Sequence, residues 1–507
     1  MTQLQHSQVD TGRLKRIALR ILTVLGNLLL AVVGVGIAYV IGRQMKGDQW
    51  ALLVSVVGVG TYVVIALINP KHAFMVWLVT APFARFVYLN IELGRGIPDL
   101  SLNRVMTGVL LVVILASAAV QQRRLVRLVW PDALLILFAL GAMASVPTST
   151  MSLRTSLQSF FDLVLIPIAV YFVARNLLTT RDDIRHLIYA LIVIGAYLGF
   201  LATREQLTGV VWFYPEDRSL IYSGDIRRVV GLMGNPACMS LSLCAIIPWG
   251  WYAYLHARRG RAALLLLVAL MMSGCYFCMN RSGWAGLALG LICLALFVKR
   301  FRRIFMILLV VAVIVAGVYW AVIVSSSVVE NRLKAQGPIE YRMQTWEVAA
   351  RMLRSNLLFG VGYENFGGLY KQYSYWDANA PVTPYPHNTY LWIMLMGGLA
   401  AFGPFVLFLL VTAVSALRSL AGKEAEPGGL FPTQARLGSS RSELAGVFLA
   451  SMAAVFAPAF VGDIFQCYYM MMIVFSILGA LMAVITGNSP DEVAVPTTPR
   501  ADAERLR

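Results

Sequence analysis

The chain carries a long series of apolar runs, each close to the thickness of a bilayer. A helix needs roughly 20 apolar residues to cross the hydrocarbon core. About fourteen segments approach that length: 17–41, 49–69, 73–89, 104–120, 132–147, 157–174, 186–204, 236–255, 262–279, 281–298, 304–325, 396–417, 444–462 and 465–486. Of 507 residues, 59% are hydrophobic and 13% charged. A soluble domain carries roughly 25% charged residues, so a soluble enzyme is excluded. The expected fold class is all-α and polytopic, with about 12–14 transmembrane helices and a large extracytoplasmic loop containing amphipathic helices.

The net charge of +17 would suggest nucleic acid in a soluble protein. Here it reads as topology signal and as contact with anionic membrane lipids, and no nucleic-acid partner is expected. The first apolar run follows Arg13, Lys15, Arg16 and Arg20 and is too long for a signal peptide, so it reads as a retained span. The basic short connectors QQRRLVRLVW, ARNLLTTRDDIRH, HARRGRA and VKRFRR place that side of the bundle, and both termini, in the cytoplasm. The chain then divides into a tail (1–16), N-terminal spans (17–204), an outward loop (205–235), central spans (236–325), a large outward loop (326–387), C-terminal spans (388–486) and a second tail (487–507). The six cysteines lie in or beside apolar runs. They suggest neither a disulfide framework nor a zinc site, and the pair in Cys275-Tyr-Phe-Cys278 reads as packing.

Both outward loops are too long to be simple connectors. Within the second, YRMQTWEVAARMLRSNLLFGVGYENFGGLY begins as a helix, with Tyr341, Trp346 or Thr345, Ala349 and Met352-Leu353 at helical spacing. Asn356, Gly360 and Gly362 end it. An amphipathic helix of this kind is expected to lie along the outer membrane surface.

Of five histidines, only His387 falls on the outer side; His6, His72, His186 and His256 fall on the other. By position it reads either as a polar interface residue or as a base for outward-facing chemistry. Arg227-Arg228, Arg281 and Arg342 also sit near the outer surface, where positive residues are normally depleted. They suit either lipid phosphates or a bound pyrophosphate, whose oxygens match the planar guanidinium fork. Outer aromatics, including Trp212, Tyr214, Tyr363, Tyr375, Trp376 and Tyr385, read individually as an interfacial belt, although such faces also cover sugar rings. Arg85, Asp162 and Asp463 lie in or between spans, as structural pairs or as an ion path.

Three stretches together resemble the O-antigen ligase and polymerase-like membrane glycosyltransferases. RRVVGLMGNPACMSLSL carries Arg228, Gly231, Asn235 and Pro236; MNRSGWAGLALG is centred on Arg281; and the stretch from YRMQTWEVAARM to PHNTYLWIMLMGGLAAFG holds Arg342, Trp346, Gly360, Gly362, Asn365 and His387-Asn388. The resemblance spans about 220–415. It departs at Ala401, where the family often has Gly, Thr or Tyr after the glycine matched by Gly398. The resemblance implies a donor glycan on undecaprenyl pyrophosphate, presented at the outer face of a bacterial inner membrane. It implies a direct, inverting displacement. Arg228, Arg281 and Arg342 would hold the pyrophosphate, and His387, with Asn388 beside it, would act as base. Glu340, Glu364, Trp346 and Tyr385 are secondary candidates. No metal or other cofactor is expected. The expected partners are an acceptor glycan or glycolipid, membrane lipids, and a chain-length regulator and flippase. A polymerase is favoured, with a ligase acting on lipid A core or protein as the alternative. A lipid-linked oligosaccharide flippase or secondary transporter is the alternative of another class.

Overall fold

The computed structural model describes residues 49–86, 90–91, 100–120, 125–213, 221–222, 226–325, 337–374, 383, 385–421 and 439–486. The expected span at 17–41, both tails, and Tyr214, Tyr375 and Trp376 lie outside the described residues, as does the side chain of Arg85. Helices α1 (Gln49–Ile68) and α2 (Pro70–Thr80) lead to a two-residue ladder, β1 (Asn90–Ile91) with β2 (Leu100–Ser101). Then come α3 (Leu102–Val120), α4 (Trp130–Ala144), α5 (Leu153–Leu177) and α6 (Arg181–Thr208). A second ladder, β3 (Ile221–Tyr222) with β4 (Ile226–Arg227), precedes α7 (Pro236–His256), α8 (Arg261–Phe277), α9 (Arg281–Phe297) and α10 (Arg302–Ser325). The chain ends with α11 (Gly337–Ser355), α12 (Phe366–Tyr373), α13 (Thr389–Leu420), α14 (Ser439–Phe456) and α15 (Tyr468–Thr486).

Among the described residues, nine helical segments are long and apolar enough to cross a bilayer, and three more apolar helices are shorter. The protein is an all-α polytopic membrane protein. Helix α2 departs from the expected span at 73–89. It starts at Pro70, capped by Asn69, and gives way at Ala81 to a 3₁₀ turn over Ala81–Phe86. Pro82 explains the stop, because its ring cannot donate the next helical hydrogen bond and crowds the preceding turn.

Lipid supplies little apolar driving force between helices, so association depends on close packing. Helix α15 packs on α5, α13 on α4, α8 on α6 and α9 on α14, with α7 enclosed among its neighbours. At two crossings the backbones nearly touch. A Cβ at Gly479 would lie 2.3 Å from the Tyr171 carbonyl oxygen, and one at Gly286 2.3 Å from that of Ala454. Helix α10 is the opposite case, exposing Met306, Ile307, Val313 and Ile314, as suits a helix facing lipid.

Two interior ion pairs stitch the N-terminal half. Arg175 meets Asp132, which also accepts a 2.7 Å bond from the Tyr171 hydroxyl. Arg104 grips Asp162 with two bonds, of 2.8 and 2.7 Å. Asp162 therefore has a structural partner that the sequence did not identify. It sits in a π-helical turn, Phe161–Leu165. Pro167 follows closely, and the widened turn relieves the clash its ring would impose on a regular α-helix.

The expectation of no disulfide is corrected: Cys238, in the first turn of α7, is bonded to Cys467, just before α15. Their separation of 229 residues has no local signature, so spacing could not reveal the pair. Cys275 and Cys278 are buried and free, in line with a packing role.

Helix α13 begins directly after His387-Asn388 and is broken at Gly397 and Gly398, the latter at φ 59° and ψ −157°. The loop after α11 supplies the missing hydrogen bonds. Val361 N–H donates to Leu395 O (2.7 Å), while Leu399 and Ala400 N–H donate to Leu357 O (2.9 Å) and Leu358 O (3.1 Å). Ala401 is fully buried where α4 crosses at Gly141, whose added Cβ would lie 3.1 Å from the Ala401 Cα. A small residue is therefore what this crossing requires.

A Cβ at Gly398 would lie 2.3 Å from the Leu358 carbonyl, whereas Gly403 has open space around it. Gly398→Ala is expected to destabilise the protein by about 1–3 kcal/mol, the scale of a forced backbone conformation. Gly403→Ala should be neutral or mildly stabilising. Thermal unfolding midpoints of the two purified variants in detergent test the contrast.

Candidate active site

Three helices start at one end of the bundle, each immediately after an asparagine. Asn235 caps α7, accepting from Ala237 N–H at 2.8 Å. Asn388 caps α13, accepting from Tyr390 (3.0 Å) and Leu391 (3.1 Å) N–H groups. Such caps contribute about 1 kcal/mol each. Asn280, before α9, instead reaches sideways. It donates to Ser240 Oγ of α7 at 2.8 Å and accepts from Ser282 Oγ at 2.9 Å. All three helices turn their positive dipole ends toward this region.

These starts position the expected charged groups. Arg228 precedes a loop that Glu205, at the end of α6, holds by accepting from Val230 N–H (3.1 Å) and Gly231 N–H (2.8 Å). Arg281 is the exposed first residue of α9. Arg342 is half-buried on α11. Burial holds the Arg342 guanidinium below its ordinary pKa, as do the neighbouring guanidiniums of Arg281 and Arg228; Asp463 works in the opposite direction. Arg342 thus lies in the electrostatic field of both other arginines predicted from sequence, the three being contributed by three separate elements.

His387 stands beside them. Its backbone is at φ 52°, a left-handed conformation uncommon for a side-chain-bearing residue. It is fixed on both sides. Trp346 Nε1 of α11 donates to the Pro386 carbonyl at 2.9 Å. Thr389 binds the turn between α14 and α15, donating through N–H and Oγ to Gly462 O at 3.1 and 2.7 Å. Its Oγ also accepts from Ile464 N–H at 2.9 Å. This clamp sets Asp463 against the imidazole, with Nδ1 3.2 Å from Asp463 Oδ2. The His387 side chain is 40% exposed and that of Asp463 8%. A buried carboxylate therefore holds Nδ1, which leaves Nε2 as the nitrogen for outward chemistry. The Tyr341 ring lies 6.1 Å from the imidazole.

The secondary candidates divide. Tyr385 lies in the field of both Glu364 and Asp463; burial first, then these two carboxylates, raise its phenol pKa. Glu364 accepts from Ser159 Oγ at 2.8 Å. Trp346 positions Pro386, as above, and Glu340 stands exposed in the first turn of α11. The carboxamide oxygen of Asn388 is committed to its cap. Three contributors were not assigned roles from sequence: Asp463 as partner of His387, Glu205 beneath the Arg228 loop, and Ser159 at Glu364. Asp463 was visible as a charge between two spans; the others gave no signal.

The arrangement offers a carboxylate-oriented imidazole beside three guanidiniums. That combination can remove a proton from a hydroxyl while neutralising a polyanionic leaving group. Residues 262–425 match the family model described as O-antigen ligase. The matched region contains Arg281, Arg342, Glu364, His387 and Asn388, while Arg228 and Asp463 lie outside it. The matched region is less than half of the chain and supports a function of the general O-antigen ligase or polymerase type. No curated protein matches the chain.

The disulfide that anchors the Asp463 turn is directly measurable. Alkylation of the denatured, unreduced protein is expected to label the four free cysteines. Prior reduction should add Cys238 and Cys467. Intact mass reads both states, and labelling of all six without reduction would contradict the bond.

Proposed function

With the O-antigen ligase-type region as premise, we propose that the protein polymerises a polysaccharide from undecaprenyl-pyrophosphate-linked units at the periplasmic face of a bacterial inner membrane. The observation carrying this reading is the gathering of Arg228, Arg281 and Arg342 around the His387–Asp463 pair. A pyrophosphate donor binds where guanidinium forks and helix starts face it. The acceptor hydroxyl approaches Nε2 of His387, which takes its proton as the oxygen forms a bond to the anomeric carbon. The bond from that carbon to the pyrophosphate oxygen breaks, and the electron pair leaves with undecaprenyl pyrophosphate. A single displacement inverts the anomeric centre. Asp463 stabilises the imidazolium that forms, as a carboxylate does behind a catalytic histidine. The arginines carry the charge neutralisation that a divalent ion often supplies to pyrophosphate, so the transfer is metal-independent.

A ligase, moving the glycan once to lipid A core or to a protein, uses the same donor chemistry; the description of the matched family favours it. The two differ in product: a polymerase yields a ladder of repeat numbers, a ligase a single attachment.

Purified protein given the lipid-linked donor should form glycosidic product, and EDTA should not reduce it. His387→Ala should lower the rate by roughly 10²–10⁴, the range for a positioned acid–base group. Asp463→Asn should cost less, and the double variant should be no slower than His387→Ala, because paired groups act as a unit. Arg→Lys at 228, 281 or 342 keeps the charge and loses the fork. Undiminished transfer in His387→Ala would overturn the base assignment, and undiminished transfer in all three lysine variants would overturn the pyrophosphate site.

A further inference from the structure

A second polar cluster adjoins the His387–Asp463 pair, and the reaction as derived leaves it unused. At its centre is Glu364, whose backbone sits at φ 54°. Such conformations cost about 1–3 kcal/mol and persist where surrounding contacts enforce them. Here the next residue enforces it. Asn365 donates to Thr148 O (2.8 Å) and Val361 O (2.9 Å) and accepts from Thr150 N–H (2.6 Å). The loop is pinned to the chain between α4 and α5, and the Glu364 carboxylate is delivered to Ser159 of α5. One turn further along α5 is Asp162, gripped by Arg104 and still one-third exposed. Burial raises the Glu364 carboxyl pKa, opposed by Ser159 and by Gln466 beside it.

Gln466 ties this cluster to the base. It lies three residues beyond Asp463 on the same clamped turn, with its side-chain amide buried beside the Glu364 carboxylate. Tyr385 lies in the field of both Glu364 and Asp463. Any molecule presenting a hydroxyl to Nε2 of His387 must place its neighbouring atoms within a sugar ring's length of that nitrogen. The cluster offers carboxylate oxygens, an amide donor, hydroxyls and an aromatic face, groups of the kinds that hydrogen-bond and cover a sugar.

We propose that Glu364, Gln466, Tyr385, Ser159 and Asp162 form the acceptor subsite, selecting an uncharged glycan terminus by its hydroxyl groups. This rests on the function proposed above. The two halves of the site then differ in sign: guanidiniums face the donor pyrophosphate, and carboxylates face the acceptor. An acceptor bearing a carboxylate at this position meets the Glu364 carboxylate and is disfavoured. Ser159, Asp162 and Gln466 lie outside 262–425, so acceptor choice is built largely by elements beyond the region matching the family model.

The test uses the purified full chain in detergent and two probes. One is undecaprenyl pyrophosphate without sugar. The other is a repeat-unit oligosaccharide released by partial acid hydrolysis from the surface polysaccharide of the producing cells. Wild type is expected to bind both. Glu364→Gln should weaken the oligosaccharide at least tenfold and leave undecaprenyl pyrophosphate unchanged, while Arg342→Ala should do the reverse. Ser159→Ala, which removes a single hydroxyl, should weaken the oligosaccharide about threefold and serves if Glu364→Gln does not fold. Oxidising the oligosaccharide's primary hydroxyls to carboxylates should weaken it at least tenfold in wild type. Unchanged oligosaccharide affinity in the folded variants, parallel loss of both probes, or equal binding of the oxidised form would overturn the subsite. Wild type that binds the oligosaccharide but not undecaprenyl pyrophosphate would instead overturn the donor reading.

Discussion

The backbone hydrogen bonds donated by Val361, Leu399 and Ala400 across the break in α13 are what the rest of the site leans on. A helix interrupted at membrane depth leaves amides that lipid cannot satisfy, so a break survives only where protein covers it. Here the cover is the loop leaving α11, and its docking fixes α11 itself. Val348, Ala349, Met352 and Leu353 then pack with Phe366, Tyr370 and Leu395, which carries Arg342 and Trp346 to His387. A backbone requirement thus becomes a side-chain arrangement.

Charge balance differs between the ion pairs of the N-terminal half and the surroundings of Arg342. Arg175 is enclosed with Asp132 and Tyr171, and Arg104 is paired with the partly exposed Asp162. Each is compensated by a close partner, which is how a buried ion is tolerated. Arg342 feels two like charges and one opposite one, and the opposite one also binds His387. Arg342 thus sits where like charges crowd one another and a single buried carboxylate offsets them.

Much of the architecture was legible in the sequence because it is written in local pattern. Apolar runs marked nearly every span, and helical spacing of Ala349 and Met352-Leu353 marked α11. Basic residues and a lone histidine expected on one side of the membrane drew attention to Arg342, which lies in the field of Arg228, Arg281 and Asp463, and to His387, which meets that same Asp463. What stayed hidden depends on partners distant in sequence. Asp463 is 76 positions after His387, and Cys467 is 229 after Cys238. The break in α13 was hidden differently, since paired glycines in an apolar run read equally well as a continuous helix; only the docked loop makes them a hinge point. Ala401 looked like a departure in the motif and is accounted for by the passage of α4 against it.

The clamp at Thr389 has a consequence for how the protein comes into being. Synthesis runs from the N-terminus, so His387 and all three arginines are made before the turn at 457–467 exists. Until that last turn arrives, Thr389 has neither Gly462 nor Ile464 to bind, the imidazole has no carboxylate behind it, and Cys238 waits without its mate. The growing chain holds these charged residues unassembled until that turn brings them into register.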